Sequence, residues 1–198
     1  MINRIHLEMI KLYRGDPKRI QHFCKVHSYA KLIAETENVD NKCLFIIEAA
    51  ALTHDIGIHF CEEKYGNCNG KLQEKEGPAI AEKLLGELGF DQDVSDRVQY
   101  LIAHHHTYNN IDEIDYQILV EADFLVNIME DGLSKEAALK AYHNIFKTTS
   151  TIGSISSSVN FIRFFTACLC NSSSVMFHLS KYSFFILTLP FSKLPFCS

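Results

Sequence analysis

Residues 43–57 read CLFIIEAAALTHDIG. Asp40 stands just before this segment and is a preferred residue type for a helix N-cap. The segment is apolar almost all the way round, which predicts a helix in the centre of the fold that Gly57 is placed to end. His54 and Asp55 come at its C-terminal end, where an ionised carboxylate is costly unless it is paired. One cation would satisfy both side chains; a terminal histidine beside a solvated aspartate is the alternative.

Helical patterns continue on both sides of this segment. Asp16–Pro17 predicts a helix over about 18–36, in which apolar residues recur at three- and four-residue steps. Further helices are predicted from Pro78 to Gly89, from Asp91 through the histidines at 104–106, over about 114–130, and from Ser134 to about 146. Residues 60–77 are rich in glycine and asparagine and predict a loop. No strand pattern occurs over 1–147, so we expect an all-α, compact helical bundle.

Composition indicates an ordinary globular protein. The chain has 198 residues, 47% hydrophobic and 22% charged, with a formal net charge of −5. This length suits one domain, and the negative charge argues against binding to a nucleic-acid backbone. No secretory signal is recognisable at the start, and the seven cysteines show no disulfide framework. We therefore expect a cytoplasmic protein with free thiols.

The last part of the chain differs in composition, which predicts a boundary between a domain over 1–147 and a tail over 148–198. The tail has no acidic residue and holds eight of the 14 phenylalanines. Its apolar runs are shorter than the roughly 20 residues that span a bilayer, so no transmembrane segment is expected. An aberrant or poorly ordered C-terminus is one interpretation. A divergent helical pair and a membrane-surface segment are the others.

Further residues of metal-ligand type fall on the predicted helices. His22 and Asp123 each border an apolar stripe, and His104–His105 follow Leu101 and Ile102. Imidazole nitrogens and carboxylate oxygens are the donors that divalent cations accept. Each residue alone has a structural explanation, but a shared metal explains the whole set more economically. A metal-dependent hydrolase is therefore the leading hypothesis.

Three segments resemble the HD-domain metal-dependent phosphohydrolase superfamily. Residues 19–35, RIQHFCKVHSYAKLIAE, resemble the opening helix of that family. AAALTHDIG, at 49–57, is similar to its signature, and VEADFLVN, at 120–127, resembles the helix that brings its last aspartate. The segments occur in the family's order over about residues 16–130.

The resemblance implies a ligand set and a reaction. His22, His54, Asp55 and Asp123 would hold a divalent cation, with Asp55 the residue nearest the reacting water. His104 and His105 resemble histidines that let some members hold a second metal, and either is a candidate acid for the leaving oxygen. A polar helix end, and a phosphate contact without metal, are the alternatives. Manganese or iron is favoured; zinc, cobalt and nickel remain open.

The implied substrate is a nucleotide or another small phosphoester. Lys64 and Lys71, after the His–Asp pair, are candidates to hold its phosphates, although solvated lysines are the simpler interpretation. A homodimer is a further expectation. Ile58 follows Gly57, and Glu76 or Gly77 stands where the cyclic-dinucleotide branch has a metal-binding histidine, which argues against that branch. A regulatory module without turnover and a di-iron oxygenase are the rival functions.

Overall fold

The computed structural model describes residues 1–132 and 134–149. This part of the chain is built from α-helices and contains no strand, which confirms the all-α prediction. In chain order the helices are α1 Ile2–Leu12, α2 Pro17–Thr36, α3 Asn41–Thr53, α4 Ile58–Tyr65, α5 Gly70–Leu88, α6 Gln92–Ile102, α7 Ile114–Glu130 and α8 Lys135–Ile145.

Two predicted caps start the central helices. The Asp16 carboxylate accepts a hydrogen bond from the backbone N–H of Arg19 at 3.1 Å and so begins α2. The Asp40 carboxylate accepts two backbone N–H groups of the first turn of α3, at 2.8 and 2.9 Å. Each carboxylate satisfies donors that have no partner inside the helix.

Helix α3 runs through the centre of the bundle. Residues 46–53 are all buried, and α3 packs against α1, α2, α6 and α7. The stretch Asn41–Tyr65 is long and apolar enough to cross a membrane by length and composition, but 67% of its apolar window is buried within the fold. Its apolar character is explained by its central position. Because α2 also packs against α7, residues from α2, α3 and α7 can meet in the core.

The loop predicted over 60–77 is wrong. Helix α4 extends to Tyr65, Gly66 leaves it with a left-handed φ of 70°, and α5 begins at Gly70. The Asn69 side chain caps α5 by accepting the N–H of Leu72 at 3.1 Å. Glycine and asparagine in this segment therefore serve a short connection between two helices. Pro78 does not start a helix but lies inside α5.

Gly57 does not end α3, because the helix ends at Thr53 and α4 follows a short turn. A Cβ atom on Gly57 would lie 3.1 Å from the backbone nitrogen of Gly77. Glycine therefore allows α5 to approach the turn that carries His54 and Asp55. The helix predicted through the histidines at 104–106 also ends earlier, at Ile102, and the three histidines lie in a turn.

A buried carboxylate fixes the end of the described fold. Glu121 of α7 is fully buried and accepts the backbone N–H groups of Lys147 at 2.6 Å and Thr148 at 2.9 Å. The Thr148 hydroxyl donates to its other oxygen at 2.6 Å. The described residues end at 149, so the predictions about the tail lie outside them from residue 150 onward.

Candidate metal centre

The four residues expected as metal ligands lie together in the core. His22 comes from the second turn of α2, His54 and Asp55 from the turn after α3, and Asp123 from α7. The Nε2 atom of His22 lies 3.3 Å from Nε2 of His54 and 3.2 Å from Oδ1 of Asp123. Oδ2 of Asp55 lies 3.6 Å from the first of these nitrogens and 3.5 Å from the second.

A second group of donors adjoins the first through Asp55. While Oδ2 of Asp55 faces His22 and His54, its Oδ1 lies 3.7 Å from Nε2 of His105. His105 is fully buried, and this Nε2 has no hydrogen-bond partner among the described residues. Donor atoms of Asp55, His105 and His106 lie within 4.8 Å of one another. Asp55 is thus common to both groups.

The hydrogen bonds at Nδ1 define the tautomers of the clustered histidines. Nδ1 of His54 lies 2.9 Å from the carbonyl oxygen of Ala51, and Nδ1 of His105 lies 2.7 Å from that of Ile102. A carbonyl oxygen only accepts, so each Nδ1 is the donor. Nδ1 of His22 donates in the same way to the Glu130 carboxylate at 3.0 Å. In the neutral rings, each Nε2 therefore presents a lone pair to the cluster.

This donor set fits a divalent cation. Where the rings are neutral, their Nε2 lone pairs and the ionised carboxylate oxygens are all acceptors at separations of 3.2–3.6 Å. Without a cation, only an added proton, such as one on Nε2 of His22 facing Asp123, can relieve their repulsion. Ligands about 2.1 Å from a tetrahedral or octahedral ion lie about 3.0–3.4 Å apart, close to these separations. The unpartnered, buried Nε2 of His105 is a further atom that a cation would satisfy.

The electrostatics of the cluster point the same way. Burial lowers the pKa of the His22 ring, but its hydrogen bond to Asp123 and the nearby carboxylate charges raise it to about 9. Burial raises the pKa of Asp55, but its electrostatic interactions with the His54 and His105 rings hold it below its ordinary value. Asp123 is likewise held low against the effect of burial, chiefly by its hydrogen bond with His22. The carboxylates are therefore ionised, and they attract positive charge to this part of the core.

His104 lies away from this cluster, unlike its neighbour His105. Its Nδ1 donates to the carbonyl oxygen of Tyr100 at 2.7 Å, and its ring packs 4.3 Å from the ring of the same tyrosine. Neither of the two candidate lysines belongs to this cluster. Lys64 is exposed on α4 and pairs with Glu76 at 3.3 Å, and Lys71 is exposed in the first turn of α5.

Three contributors were not predicted from the sequence. Glu130 holds His22, and Gln73 of α5 lies 3.3 Å from Nε2 of His106. The Tyr13 hydroxyl donates to the backbone carbonyl of Asp55 at 2.6 Å. A sequence signal existed for Glu130 alone, which follows Asp123 by two helical turns on one face of α7. The others depend on how α1 and α5 approach the centre.

Comparisons with known proteins agree with this architecture. A search of curated proteins finds no match. The chain is similar to the crystal structure of a predicted HD superfamily hydrolase from an uncultured Thermotogales bacterium, with 27% identity and a TM-score of 0.52. That similarity covers 84% of this chain and 90% of the other. The family model of the HD domain matches residues 19–147, which is more than half of the sequence. The chain therefore belongs to the HD domain family.

Proposed function

We propose that this protein is a metal-dependent phosphohydrolase that acts on a nucleotide or another small phosphoester. The observation that carries the proposal is the convergence of acceptor atoms from His22, His54, Asp55 and Asp123 in one buried cluster. Membership of the HD domain family and the similarity to a protein described as a predicted HD superfamily hydrolase support it.

These four side chains would hold the cation. A divalent ion at such a site polarises a phosphoryl oxygen and makes water a better nucleophile at neutral pH. Asp55 is the best placed to orient the attacking water, because its two oxygens face two different groups of donors. Manganese or iron is our preferred ion for this mixed donor set, ahead of zinc, cobalt and nickel.

Of the two histidines predicted to act on the substrate, His105 has the stronger position. Its Nε2 atom faces Asp55 and is free of hydrogen bonds in the described structure, so it can bind a second cation or protonate the leaving oxygen. His104 has a ring packed on Tyr100 instead, which makes it the weaker candidate.

Lys64 and Lys71 remain our candidates to hold the substrate phosphates. Lys71 follows Gly70, and a Cβ atom added to Gly70 would touch the ring of His106. The backbone next to Lys71 therefore lies close to the second group of donors. Lys64 is already paired with Glu76, and binding a phosphate would require it to leave that carboxylate. Lys71 is therefore the better of the two candidates.

The second group of donors supports one rival function, that of a di-iron oxygenase. Asp55, His105 and His106 could bind a second ion next to the first, as a di-iron oxygenase requires. The lack of a histidine at Glu76 or Gly77, where the cyclic-dinucleotide branch has a metal-binding one, argues against a complete second set of ligands. His106, in the turn after α6, can supply a ligand in its place, which weakens that objection.

The proposal extends to the setting of the protein. The described cysteines, Cys24, Cys43, Cys61 and Cys68, are free thiols, which suits a reducing compartment, and we assign the protein to the cytoplasm. We take residues 1–147 as the domain, a homodimer as its assembly and a small phosphorylated molecule as its partner. The net charge of −5 still argues against nucleic acid.

Metal analysis combined with substrate screening tests the proposal. The full chain and its Asp55→Ala variant would be analysed for bound transition metals, then assayed with manganese or iron against nucleotides and other phosphoesters. We expect about one or two ions per chain, loss of metal in the variant, and cleavage of at least one phosphoester. His27→Ala is the control, because His27 pairs with Glu48 outside the cluster.

The outcomes separate the candidates. Metal binding with hydrolysis supports the phosphohydrolase. Two irons per chain with oxygen consumption and no hydrolysis would favour the oxygenase. A folded protein that binds no metal would make a regulatory module the better conclusion.

A further inference from the structure

His22 differs from the other clustered histidines in what holds its ring. His54 and His105 each donate Nδ1–H to a backbone carbonyl of their own turn. Nδ1 of His22 donates instead to a side chain, Oε2 of Glu130, at 3.0 Å. The two residues are 108 positions apart in sequence. The orientation of this ring therefore depends on a carboxylate that a single substitution can remove.

Glu130 is itself held in place. Its other oxygen, Oε1, accepts a hydrogen bond from Nζ of Lys25 at 3.0 Å. Lys25 lies three residues after His22, so both groups project from the same side of α2. The Glu130 side chain is only 16% exposed, which leaves the carboxylate little freedom to turn away. One carboxylate thus bridges two neighbouring side chains of α2.

The register of α7 links this carboxylate to the cluster. Glu130 follows Asp123 by seven residues, which is about two helical turns, so both lie on one face of α7. Asp123 meets Nε2 of His22 at 3.2 Å and Glu130 meets Nδ1 of the same ring at 3.0 Å. Helix α7 therefore contacts both nitrogens of one imidazole.

The geometry points to Glu130 as a positioning residue that orients His22 and strengthens it as a metal ligand. A carboxylate at Nδ1 keeps the proton on that nitrogen, directs the Nε2 lone pair to the cluster and makes Nε2 a better donor. Lys25 holds the carboxylate in the orientation that this requires. The inference rests on the proposed metal site and adds a residue that does not itself touch the ion.

The chain offers a matched control, a carboxylate that also bridges a histidine and a lysine of α2. Glu48 of α3 pairs with Nε2 of His27 at 3.0 Å and with Nζ of Lys31 at 3.1 Å. Its side chain is 11% exposed, similar to that of Glu130. This second trio has the same residue types and comparable distances, but His27 does not belong to the donor cluster. Substitution of Glu48 therefore reproduces the structural cost without touching the site.

Cobalt binding to the full-length protein tests the inference. Metal-free protein would be titrated with Co²⁺ against a competing chelator, with the visible band of the bound ion recorded. Glu130→Ala should weaken Co²⁺ binding about 10–100-fold and shift that band. Glu130→Gln keeps an amide oxygen for Nδ1–H, so its loss should be smaller. Glu48→Ala and Glu48→Gln should bind Co²⁺ as the unaltered protein does.

Each outcome decides the inference. Unchanged Co²⁺ affinity in both Glu130 variants would overturn it and leave the metal site standing. Equal weakening in the Glu48 variants would show that general destabilisation is the cause, and would overturn it too. Absence of Co²⁺ binding to the unaltered protein would remove the proposed metal site together with the inference. Thermal unfolding of all variants without metal shows which of them are folded. If Glu130→Ala is not folded, the Co²⁺ affinity of Glu130→Gln decides the inference.

Discussion

The Nε2 atoms of His22 and His54 lie 3.3 Å apart, and each ring has its Nδ1–H engaged by another acceptor. Two neutral imidazoles so arranged place lone pairs against each other, with Oδ1 of Asp123 beside both at 3.2 and 3.6 Å. A proton on one ring relieves this conflict partly. A cation relieves it for all three groups at once, so metal binding and folding stability should be coupled.

Added metal should therefore raise the thermal stability of the protein. We expect manganese at about 100 times its dissociation constant to stabilise the folded state by about 2.7 kcal/mol. For a chain of this size that corresponds to about 5–10 °C in melting temperature. Differential scanning fluorimetry of chelator-treated protein over a manganese series measures the shift.

Asp123→Asn is the control for this shift. It preserves the shape of the side chain but removes the charge that faces His22 and His54. The variant should show little rise in melting temperature with manganese. An equal rise in both proteins would mean that the ion binds elsewhere.

Adjacent histidines should differ sharply in their effect on hydrolysis. His105→Ala removes the buried Nε2 that faces Asp55, so we expect kcat to fall by about 100-fold or more. His104→Ala removes a ring that packs on Tyr100, and we expect kcat to stay within a few-fold. Steady-state kinetics on the phosphoester found by screening would measure both. A larger loss for His104→Ala would reverse the assignment.

The sequence predicted those features that are encoded within a single helix, such as its N-cap and its apolar stripe. Asp16 and Asp40 predicted the starts of α2 and α3, and the apolar stripes placed His22 and Asp123 toward the core. The helical pattern places Glu130 on the same face of α7 as Asp123, but it does not predict that Glu130 pairs with His22. This pairing depends on the packing of α7 against α2, and crossing geometry is not encoded in the local pattern of either helix.

Glycine produced the main error for a physical reason. Clusters of glycine usually indicate turns, and the segment 60–77 was predicted as a loop on that basis. In the structure Gly66 does serve a short turn, but Gly77 lies inside α5, where it allows a close approach to the backbone of Gly57. A single sequence does not distinguish a glycine needed for a turn from one needed for close packing.

Two glycines of α5 should therefore respond in opposite ways to alanine. A Cβ atom on Gly77 would lie 2.8 Å from Cγ2 of Ile102, which is fully buried. We expect Gly77→Ala to destabilise the protein by about 1–3 kcal/mol through overpacking. A Cβ on Gly86 meets no atom within 4 Å, so Gly86→Ala should stabilise by about 0.5–1 kcal/mol. Urea denaturation measures both changes.

Ile102 also connects this packing to the site. Its carbonyl oxygen accepts Nδ1–H of His105 at 2.7 Å, so displacement of α6 by Gly77→Ala should also reduce activity. Gly86→Ala should leave activity unchanged. Destabilisation by Gly86→Ala as well would contradict the attribution of the Gly77→Ala effect to its contact with Ile102.

Arg97 should be a major determinant of stability outside the site. Its guanidinium donates to both oxygens of Asp115, at 2.6 and 2.8 Å, and to both oxygens of Asp112, at 2.8 and 2.9 Å. Asp115 is 3% exposed, so Arg97→Met would leave a buried charge without its partner. We expect a loss of about 3–5 kcal/mol at pH 7, measured by urea unfolding. Lys42→Met, which breaks the exposed pair with Asp93, should have little effect.

The effect of Arg97→Met should also depend on pH. Hydrogen bonds from Arg97 lower the pKa of Asp112, so the folded state binds a proton there less readily than the unfolded state. That contribution is complete above the unfolded pKa of about 3.9 and is lost as pH falls through the lower folded value. The difference in unfolding free energy between the two proteins should therefore shrink between pH 5 and about pH 3. A difference that stays constant or grows on acidification would show that Asp112 does not stabilise the fold through Arg97.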